Sequence, residues 1–148
     1  MTQSAITAVI EVDKSPLDAF NAINRPKAWW GEDIHGRTDH LGDEWTYRHK
    51  DIHVSKQKIV ELVAGKKVVW EVVDATLKFL KDKHEWKGTR IVFEITPKGG
   101  KTEVRFTHEG LTPEVECFGI CNDTWRGLIG NSLRKLIETG KGEPFGGQ

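Results

Sequence analysis

His108 is the residue best placed to do chemistry, because the pattern of its segment turns it toward an apolar interior. Val104, Phe106 and His108 alternate with polar residues, so they share one face of a predicted strand. A buried imidazole can orient a ligand or act as a general acid or base. His108 also ends its strand, where a hydrogen bond to a loop would give the ring a structural function. The sequence leaves both interpretations open.

Aromatic residues recur on the inward faces of the predicted strands, in a sequence that contains six tryptophans in all. Trp45, Tyr47 and His49 form one inward stripe that ends in polar tips and a second imidazole. The tryptophans expected to join this stripe are Trp70, Trp86 and Trp125. Such a set can line a pocket with apolar walls and a few donors, or it can close completely as a plain core.

Other chemistries find little support in the sequence. Cys117 and Cys121 lie four residues apart on one predicted helix, a spacing that does not join distant segments, so we expect no disulfide framework. Because no CxxC or HExxH motif accompanies them or His108, we predict neither a metal nor a cofactor. None of the serines lies in a nucleophile elbow. They are Ser4, Ser15, Ser55 and Ser132.

The bulk composition narrows the class of protein. Its 148 residues fit one domain, and we predict a single domain over residues 1–148 with a frayed tail at residues 142–148. The 22 basic and 22 acidic residues balance, which argues against binding to nucleic acid. No stretch approaches the roughly 20 apolar residues that cross a bilayer, so we expect no membrane insertion. The N-terminal segment does not read as a signal peptide, and we expect a cytoplasmic protein.

The first third of the sequence predicts a strand and two short helices. Residues 5–12 alternate like a strand. Ser15, Pro16 and Asp18 have the pattern of an N-cap, a first helical residue and a capping box. A helix then runs to just before Pro26, and a second turn covers residues 26–30. Trp29 and Trp30 close this turn, either as the lip of a pocket or as anchors to the core.

The middle of the sequence predicts about six strands. Gly99-Gly100 separates two alternating runs and predicts a hairpin. Glu71 and Glu94 project outward by the same alternation, which removes two carboxylates from any interior site. Residues 56–63 show no clear inward face, and residues 75–86 fit a helix or a strand equally well.

The C-terminal segment predicts a long amphipathic helix. Thr112 and Pro113 suit its first residues and Gly140 suits its end, with a kink possible at residues 119–122. Its apolar stripe comprises Phe118, Cys121, Trp125, Leu128, Ile129, Leu133, Leu136 and Ile137. A one-faced sheet and an amphipathic helix each need a partner, so we expect them to pack on each other. The predicted fold is α+β: a curved antiparallel sheet of six to seven strands around a long C-terminal helix, with two short helices after the first strand.

Five short motifs in this order resemble a known family. They are Trp29-Trp30, residues 42–45, residues 85–89 (EWKGT), residues 107–111 (THEGL) and residues 132–142. The sequence resembles the activator of heat-shock-protein-ninety ATPase homologue-like family, part of the START-like (SRPBCC) superfamily of helix-grip folds. This resemblance implies a cavity between sheet and C-terminal helix that holds an apolar ligand in many relatives. The family is named after a co-chaperone with an additional chaperone-binding domain, for which this sequence has no room, so we do not take the name as an activity.

The leading hypothesis is a non-enzymatic domain that binds a small hydrophobic or amphipathic molecule, such as a lipid, in this cavity. Its predicted wall consists of Trp45, Tyr47, Trp70, Phe93, Phe106, His108 and Trp125. One alternative is a small cyclase or hydrolase that uses His108 or His49 as its acid or base. Another is an interaction protein for a chaperone or signalling partner, which predicts an exposed apolar patch that could include Trp29 and Trp30.

Overall fold

A seven-stranded antiparallel sheet forms the framework of the protein in a computed structural model, which describes residues 6–50, 52–78, 80–81, 83–112 and 118–144. The strands are β1 (Ile6–Val12), β2 (Ile34–Gly36), β3 (Glu44–His49), β4 (His53–Val63), β5 (Lys67–Leu77), β6 (Arg90–Lys98) and β7 (Lys101–Glu109). Their order in the sheet is β1-β7-β6-β5-β4-β3-β2, so the first strand pairs with the last. The predicted α+β helix-grip fold is confirmed.

Two short helices follow β1, as predicted. Helix α1 (Pro16–Ile23) begins with the expected capping box, in which Ser15 Oγ accepts from the Asp18 amide and the Asp18 carboxylate accepts from the Ser15 amide. Helix α2 (Pro26–Trp29) starts directly at the proline. Helix α1 contacts β5, β6 and β7, so it covers the middle of the sheet.

The strands confirm the predicted hairpin and resolve the two ambiguous runs. Gly99 and Gly100 both have positive φ, as a two-residue turn between β6 and β7 requires. Residues 75–77 belong to β5, and a turn follows. The prediction that residues 56–63 lack an inward face is wrong. Gln57 and Ile59 are fully buried, and the alternation that buries them begins at His53.

The C-terminal helix runs from Phe118 to Thr139 and contains one π-helical segment between two α-helical parts. It consists of α3 (Phe118–Gly127), a π-helical segment (Leu128–Leu133) and α4 (Arg134–Thr139). Residues 119–122 are helical without a break, so the irregularity lies one turn or more beyond the predicted kink. The predicted start at residues 113–117 lies outside the described residues. Gly140 ends the helix in a left-handed conformation, as expected.

The π segment keeps the buried side chains of this helix in line. Cys121, Trp125, Ile129, Leu133 and Ile137 are all buried and follow one another at four-residue intervals. In an α-helix, four residues overshoot one turn by about 40°, so this stripe would rotate away from the sheet. A π-helical segment has more residues per turn and reverses this drift. All three parts of the helix therefore contact β1.

Two features near this helix bear on sequence predictions. Cys121 is disulfide-bonded, and Cys117, the only other cysteine of the sequence, lies outside the described residues. The first part of the predicted frayed tail is held in place, because the Glu143 amide donates to Ser132 Oγ at 2.8 Å and its carboxylate pairs with Lys135 at 2.8 Å. Within the described residues, no helix is long and apolar enough to span a bilayer.

Two glycines in the C-terminal helix form a matched test of its backbone. A Cβ at Gly130 or at Gly140 would meet no atom within 4 Å, but only Gly140 has positive φ. We expect Gly130→Ala to raise the free energy of unfolding by about 0.4–1 kcal/mol, because alanine restricts the unfolded chain. Gly140→Ala should lower it by about 1–2 kcal/mol, the cost of a left-handed alanine. Urea denaturation measures both changes in the free energy of unfolding. Changes of the same sign in the two variants would contradict the backbone conformations assigned to Gly130 and Gly140.

Candidate functional site

The six tryptophans form one cluster on the concave side of the sheet, with Trp30 at its centre. None of them is more than 4% exposed. The ring of Trp30 stacks on Tyr47 at a centroid distance of 4.5 Å. It also lies within 6.5 Å of the other five, which are Trp29, Trp45, Trp70, Trp86 and Trp125. Aromatic pairs at such distances add to the stability that area burial provides.

Local structure around helix α2 fixes Trp30 in this position. The Trp29 indole donates to the Ile23 carbonyl at 3.3 Å, and the Trp29 carbonyl accepts from Ser132 Oγ at 2.6 Å. The next residue is Gly31, where a Cβ would lie 2.2 Å from a ring carbon of Tyr47. Only glycine leaves room here for the stack between Tyr47 and Trp30. Both rings are buried and anchor helix α2 to the core, and Trp30 also borders the cavities described below.

His108 lies in the middle of a directed chain of hydrogen bonds. Trp125 Nε1–H donates to His108 Nδ1 at 3.1 Å. His108 Nε2 therefore carries the proton and donates to Thr89 Oγ1 at 2.8 Å. The Thr89 hydroxyl in turn donates to the Trp86 carbonyl at 2.6 Å. This chain connects the C-terminal helix to β7 and to the loop before β6.

The surroundings of His108 oppose its use as an acid or base. Burial lowers its pKa to about 3, because the charged form would lose its hydration, and the neighbouring His53 lowers it further. Both ring nitrogens are engaged in the hydrogen bonds described above, and the ring is completely buried. Of the two interpretations of His108, this geometry is that of a structural residue.

A polar row on β4 is the feature that sequence reasoning missed. His53, Ser55 and Gln57 point inward at successive alternate positions, and all three are buried. His53 Nε2 lies 3.0 Å from Ser55 Oγ, and the Gln57 side-chain amide donates to the Ser55 carbonyl at 3.4 Å. The alternation was visible in the sequence. Its inward positions carry polar side chains, whereas the inward face of a strand is usually apolar, so a pattern of apolar residues does not reveal it.

Two adjoining cavities open beside this row, between β3 and β4 on one side and the C-terminal helix on the other. The inner cavity has a volume of about 70 Å³ and the outer one about 210 Å³. Both are lined by Trp30, His53, Ile120 and Thr124. The inner one is also bounded by Leu77, Trp86, Cys121, Trp125 and Leu128, and the outer one by Tyr47, His49 and Ile52. Wider grooves elsewhere are surface features with charged linings.

Two polar groups on the inner cavity have atoms without a partner among the described residues. Trp86 Nε1 is buried and makes no hydrogen bond there. His53 uses Nε2 toward Ser55, whereas its Nδ1 has no hydrogen bond within the described chain. The two rings meet edge to face with centroids 4.7 Å apart. Burial lowers the pKa of His53 to about 3, and His49 lowers it further, so the imidazole is neutral at pH 7.

The structure brings the seven predicted wall residues into one aromatic cluster but places only two of them on the cavities. Tyr47 borders the outer cavity and Trp125 the inner one. Burial and the nearby Asp33 raise the pKa of Tyr47, which keeps its hydroxyl protonated. The others pack behind them within the core; they are Trp45, Trp70, Phe93, Phe106 and His108. Their function as ligand contacts stays a prediction.

A group of three carboxylates and histidines close enough to hold a metal ion occurs at one place within the described ranges. Asp39, His40 and Asp43 offer atoms within 4.8 Å of one another on the surface turn before β3. His40 Nδ1 lies 2.9 Å from the Asp39 carboxylate, and the His40 amide donates to Asp43. These hydrogen bonds give the group a structural explanation as a turn.

Comparisons with known proteins agree with this architecture. The family described as Activator of Hsp90 ATPase homolog 1-like protein matches residues 15–138. No curated protein matches the chain. The chain is similar to the Aha1 dimer from Colwellia psychrerythraea, with a TM-score of 0.75, 26% identity, and coverage of 94% of this chain and 99% of that one.

Two further solved structures share the fold at lower identity. The SSP2350 protein from Staphylococcus saprophyticus has a TM-score of 0.69 at 15% identity and covers 95% of this chain and 96% of its own. The BH1534 protein from Bacillus halodurans has a TM-score of 0.66 at 14% identity, with coverage of 93% and 99%. These likenesses extend the evidence for the fold.

Thr89→Val tests the hydrogen-bond chain of His108. The change keeps the shape of the side chain but leaves His108 Nε2–H without its acceptor in a buried place. We expect the free energy of unfolding to fall by about 1–3 kcal/mol. Thr96→Val, on the exposed part of β6, is the matched control and should change it by no more than about 0.5 kcal/mol. Similar losses in both variants, measured in urea, would argue against the chain.

The two buried histidines predict an acid-sensitive fold. Their pKa is about 3 in the folded chain and 6.5 when unperturbed, so the unfolded chain binds more protons between these values. The unfolding free energy should be fully maintained above pH 6.5 and fall as the pH drops toward 3. Each histidine contributes a slope of up to about 1.4 kcal/mol per pH unit. Ring NMR should show His108 as the neutral Nε2–H form down to about pH 5; titration above that value would contradict its burial.

Proposed function

We propose that the protein binds one small hydrophobic or amphipathic molecule in the two adjoining cavities. The chain belongs to the family of Activator of Hsp90 ATPase homolog 1-like proteins, and the fold of this family commonly binds hydrophobic ligands. The observation that carries this proposal is the pair of cavities between the sheet and the C-terminal helix. Protein interiors are usually closely packed, so open space beside a core that buries six tryptophans supports a binding site there.

The lining of the cavities suits an amphipathic molecule. Trp30, Trp86 and Trp125 offer flat apolar walls, and His53 adds a polar group where the two cavities adjoin. Binding sites for small molecules combine apolar walls with a few polar groups in the same way. The cavities are small, which favours a compact molecule over a long acyl chain or a sterol.

The entrance is apolar as well. Ile52 is 43% exposed and Ile120 is 59% exposed, and both border the outer cavity. In this proposal they form the path by which an apolar molecule reaches the interior. Tyr47 and Trp125 would contact it directly, while Trp45, Trp70, Phe93, Phe106 and His108 hold these contacts in place from behind.

The two alternative functions have less support. An acid/base enzyme would need a reactive imidazole on the cavity. Of its two predicted candidates, His108 has both nitrogens engaged and borders neither cavity, whereas His49 borders the outer one. The other histidine on the cavities, His53, has a lowered pKa that makes it a weak base. A chaperone- or signalling-associated protein would expose an apolar patch, but Trp29 and Trp30 are buried and thus unavailable to it.

Binding can be followed at the tryptophan side chains themselves. Titration with naphthalene, a compact apolar probe, should shift the indole N–H NMR signals of Trp30, Trp86 and Trp125, because these rings border the cavities. Thr124→Phe should weaken binding about tenfold or more, since it adds a ring where the two cavities adjoin.

Asp123→Phe provides the matched control. It introduces the same ring at the next position of the same helix, which is exposed and borders neither cavity. The control should bind naphthalene like the original protein. The proposal fails if naphthalene, decanoic acid and cholesterol all leave the indole signals unchanged, or if both variants weaken binding equally.

A further inference from the structure

We propose that the ligand is a single ring with a short alkyl side chain, which places the ring in the outer cavity and the side chain in the inner one. This inference rests on the proposed function and adds the shape and the orientation of the ligand. Its basis is the unequal volume of the two cavities, about 210 Å³ and about 70 Å³, together with the side chains that border both of them.

The two volumes assign one part of the ligand to each cavity. An apolar cavity of about 150 Å³ holds benzene. The outer cavity, with about 210 Å³, therefore has room for one ring, whereas the inner cavity, with about 70 Å³, does not. A water molecule takes up about 30 Å³ of the liquid, and a methyl or methylene group is similar in size. The inner cavity thus has room for about two carbon groups.

The side chains at which the two cavities adjoin differ in their freedom to move. Trp30 and His53 border both cavities and are buried, so the core holds them in place. Ile120 and Thr124 also border both cavities, but they are exposed and lie side by side, four positions apart on one helix. Exposed side chains change rotamer within nanoseconds. A rotation of these two side chains lets one molecule extend from the outer cavity into the inner one.

The lining of the inner cavity determines the chemistry of the side chain. Of the described residues, those that border the inner cavity alone are apolar and buried; they are Leu77, Trp86, Cys121, Trp125 and Leu128. Neither indole offers a donor, because Trp86 Nε1 has almost no accessible surface and Trp125 Nε1 donates to His108. A polar group at the end of the side chain would lose its hydration there without gaining a partner from these residues. The side chain of the ligand is therefore alkyl.

A series of alkylbenzenes tests the fit by NMR titration. Benzene, toluene, ethylbenzene and butylbenzene share the ring and differ only in chain length. We expect the affinity to rise about fourfold with each of the first two carbons, the gain from burying a methylene group, and to rise no further at butylbenzene. Benzyl alcohol, which has the shape of ethylbenzene with a hydroxyl at the chain end, should bind about fivefold or more weakly than ethylbenzene.

The same titrations can overturn the inference. No gain from benzene to ethylbenzene, a gain that continues at the same rate to butylbenzene, or equal binding of benzyl alcohol and ethylbenzene would each do so. The proposed function stands in these cases if naphthalene binds. If neither naphthalene nor any alkylbenzene binds, both proposals fall.

Leu128→Phe and Ile52→Phe separate the two cavities. Leu128 borders only the inner cavity, and Ile52 borders only the outer one. Leu128→Phe adds ring atoms to the inner cavity, so ethylbenzene should lose its advantage of about tenfold or more over benzene, while benzene itself binds as before. Ile52→Phe is the matched control and should change the affinity for benzene and for ethylbenzene by the same factor. The reverse pattern would contradict the assignment of the two parts of the ligand.

Contacts of ethylbenzene with the unchanged protein give the orientation without any variant. Tyr47, the single tyrosine of the sequence, borders only the outer cavity, and Trp125 borders only the inner one. Nuclear Overhauser effects should connect the ethyl group to the Trp125 ring and the benzene protons to the Tyr47 ring. Contacts in the opposite sense would overturn the proposed orientation.

Discussion

Six indole rings share one interior, and each brings an N–H group that water satisfies in the unfolded chain. Trp30 touches the other five, so its position determines how the rest of the concave face is filled. That position depends on a short helix that begins at Pro26 and on Gly31, which makes room for Tyr47. The sheet, the short helices and the C-terminal helix thus meet at a single ring, and a close fit there leaves little freedom elsewhere.

The two buried imidazoles show opposite outcomes of the same burial. Both are neutral because the interior penalises their charged forms. His108 has donors and acceptors on both sides, and its hydrogen bonds join the helix to the sheet. His53 has one fixed neighbour, and its other side belongs to the lining of two cavities. The first ring joins two parts of the fold, whereas the second borders open space.

Much of this fold could be predicted from local patterns. The capping box at Ser15, the hairpin at Gly99 and the helix end at Gly140 each depend on a few neighbouring residues whose chemistry permits one conformation. The inward direction of Trp45 and Tyr47 followed from alternation alone. The cavities could not be predicted in this way. Their volume is the small difference between the space that the sheet and helix enclose and the space that the side chains fill. The polar row on β4 had a readable period, but a polar inward face contradicts the usual expectation that buried strands are apolar.

The four-residue stripe of the C-terminal helix has a counterpart in the strand beside it. Arg134 donates to the Glu11 carbonyl, and the Glu138 carboxylate accepts from the amide of Asp13, the residue after β1, so four helix residues advance as far as two residues at the end of the strand. Four α-helical residues rise about 6 Å, and two strand residues about 6.7 Å. The two repeat lengths are therefore nearly equal, so helix and strand residues stay aligned over a short distance. A slip of one residue in either element would break both hydrogen bonds together. The alignment of helix and strand is therefore a collective property of this contact.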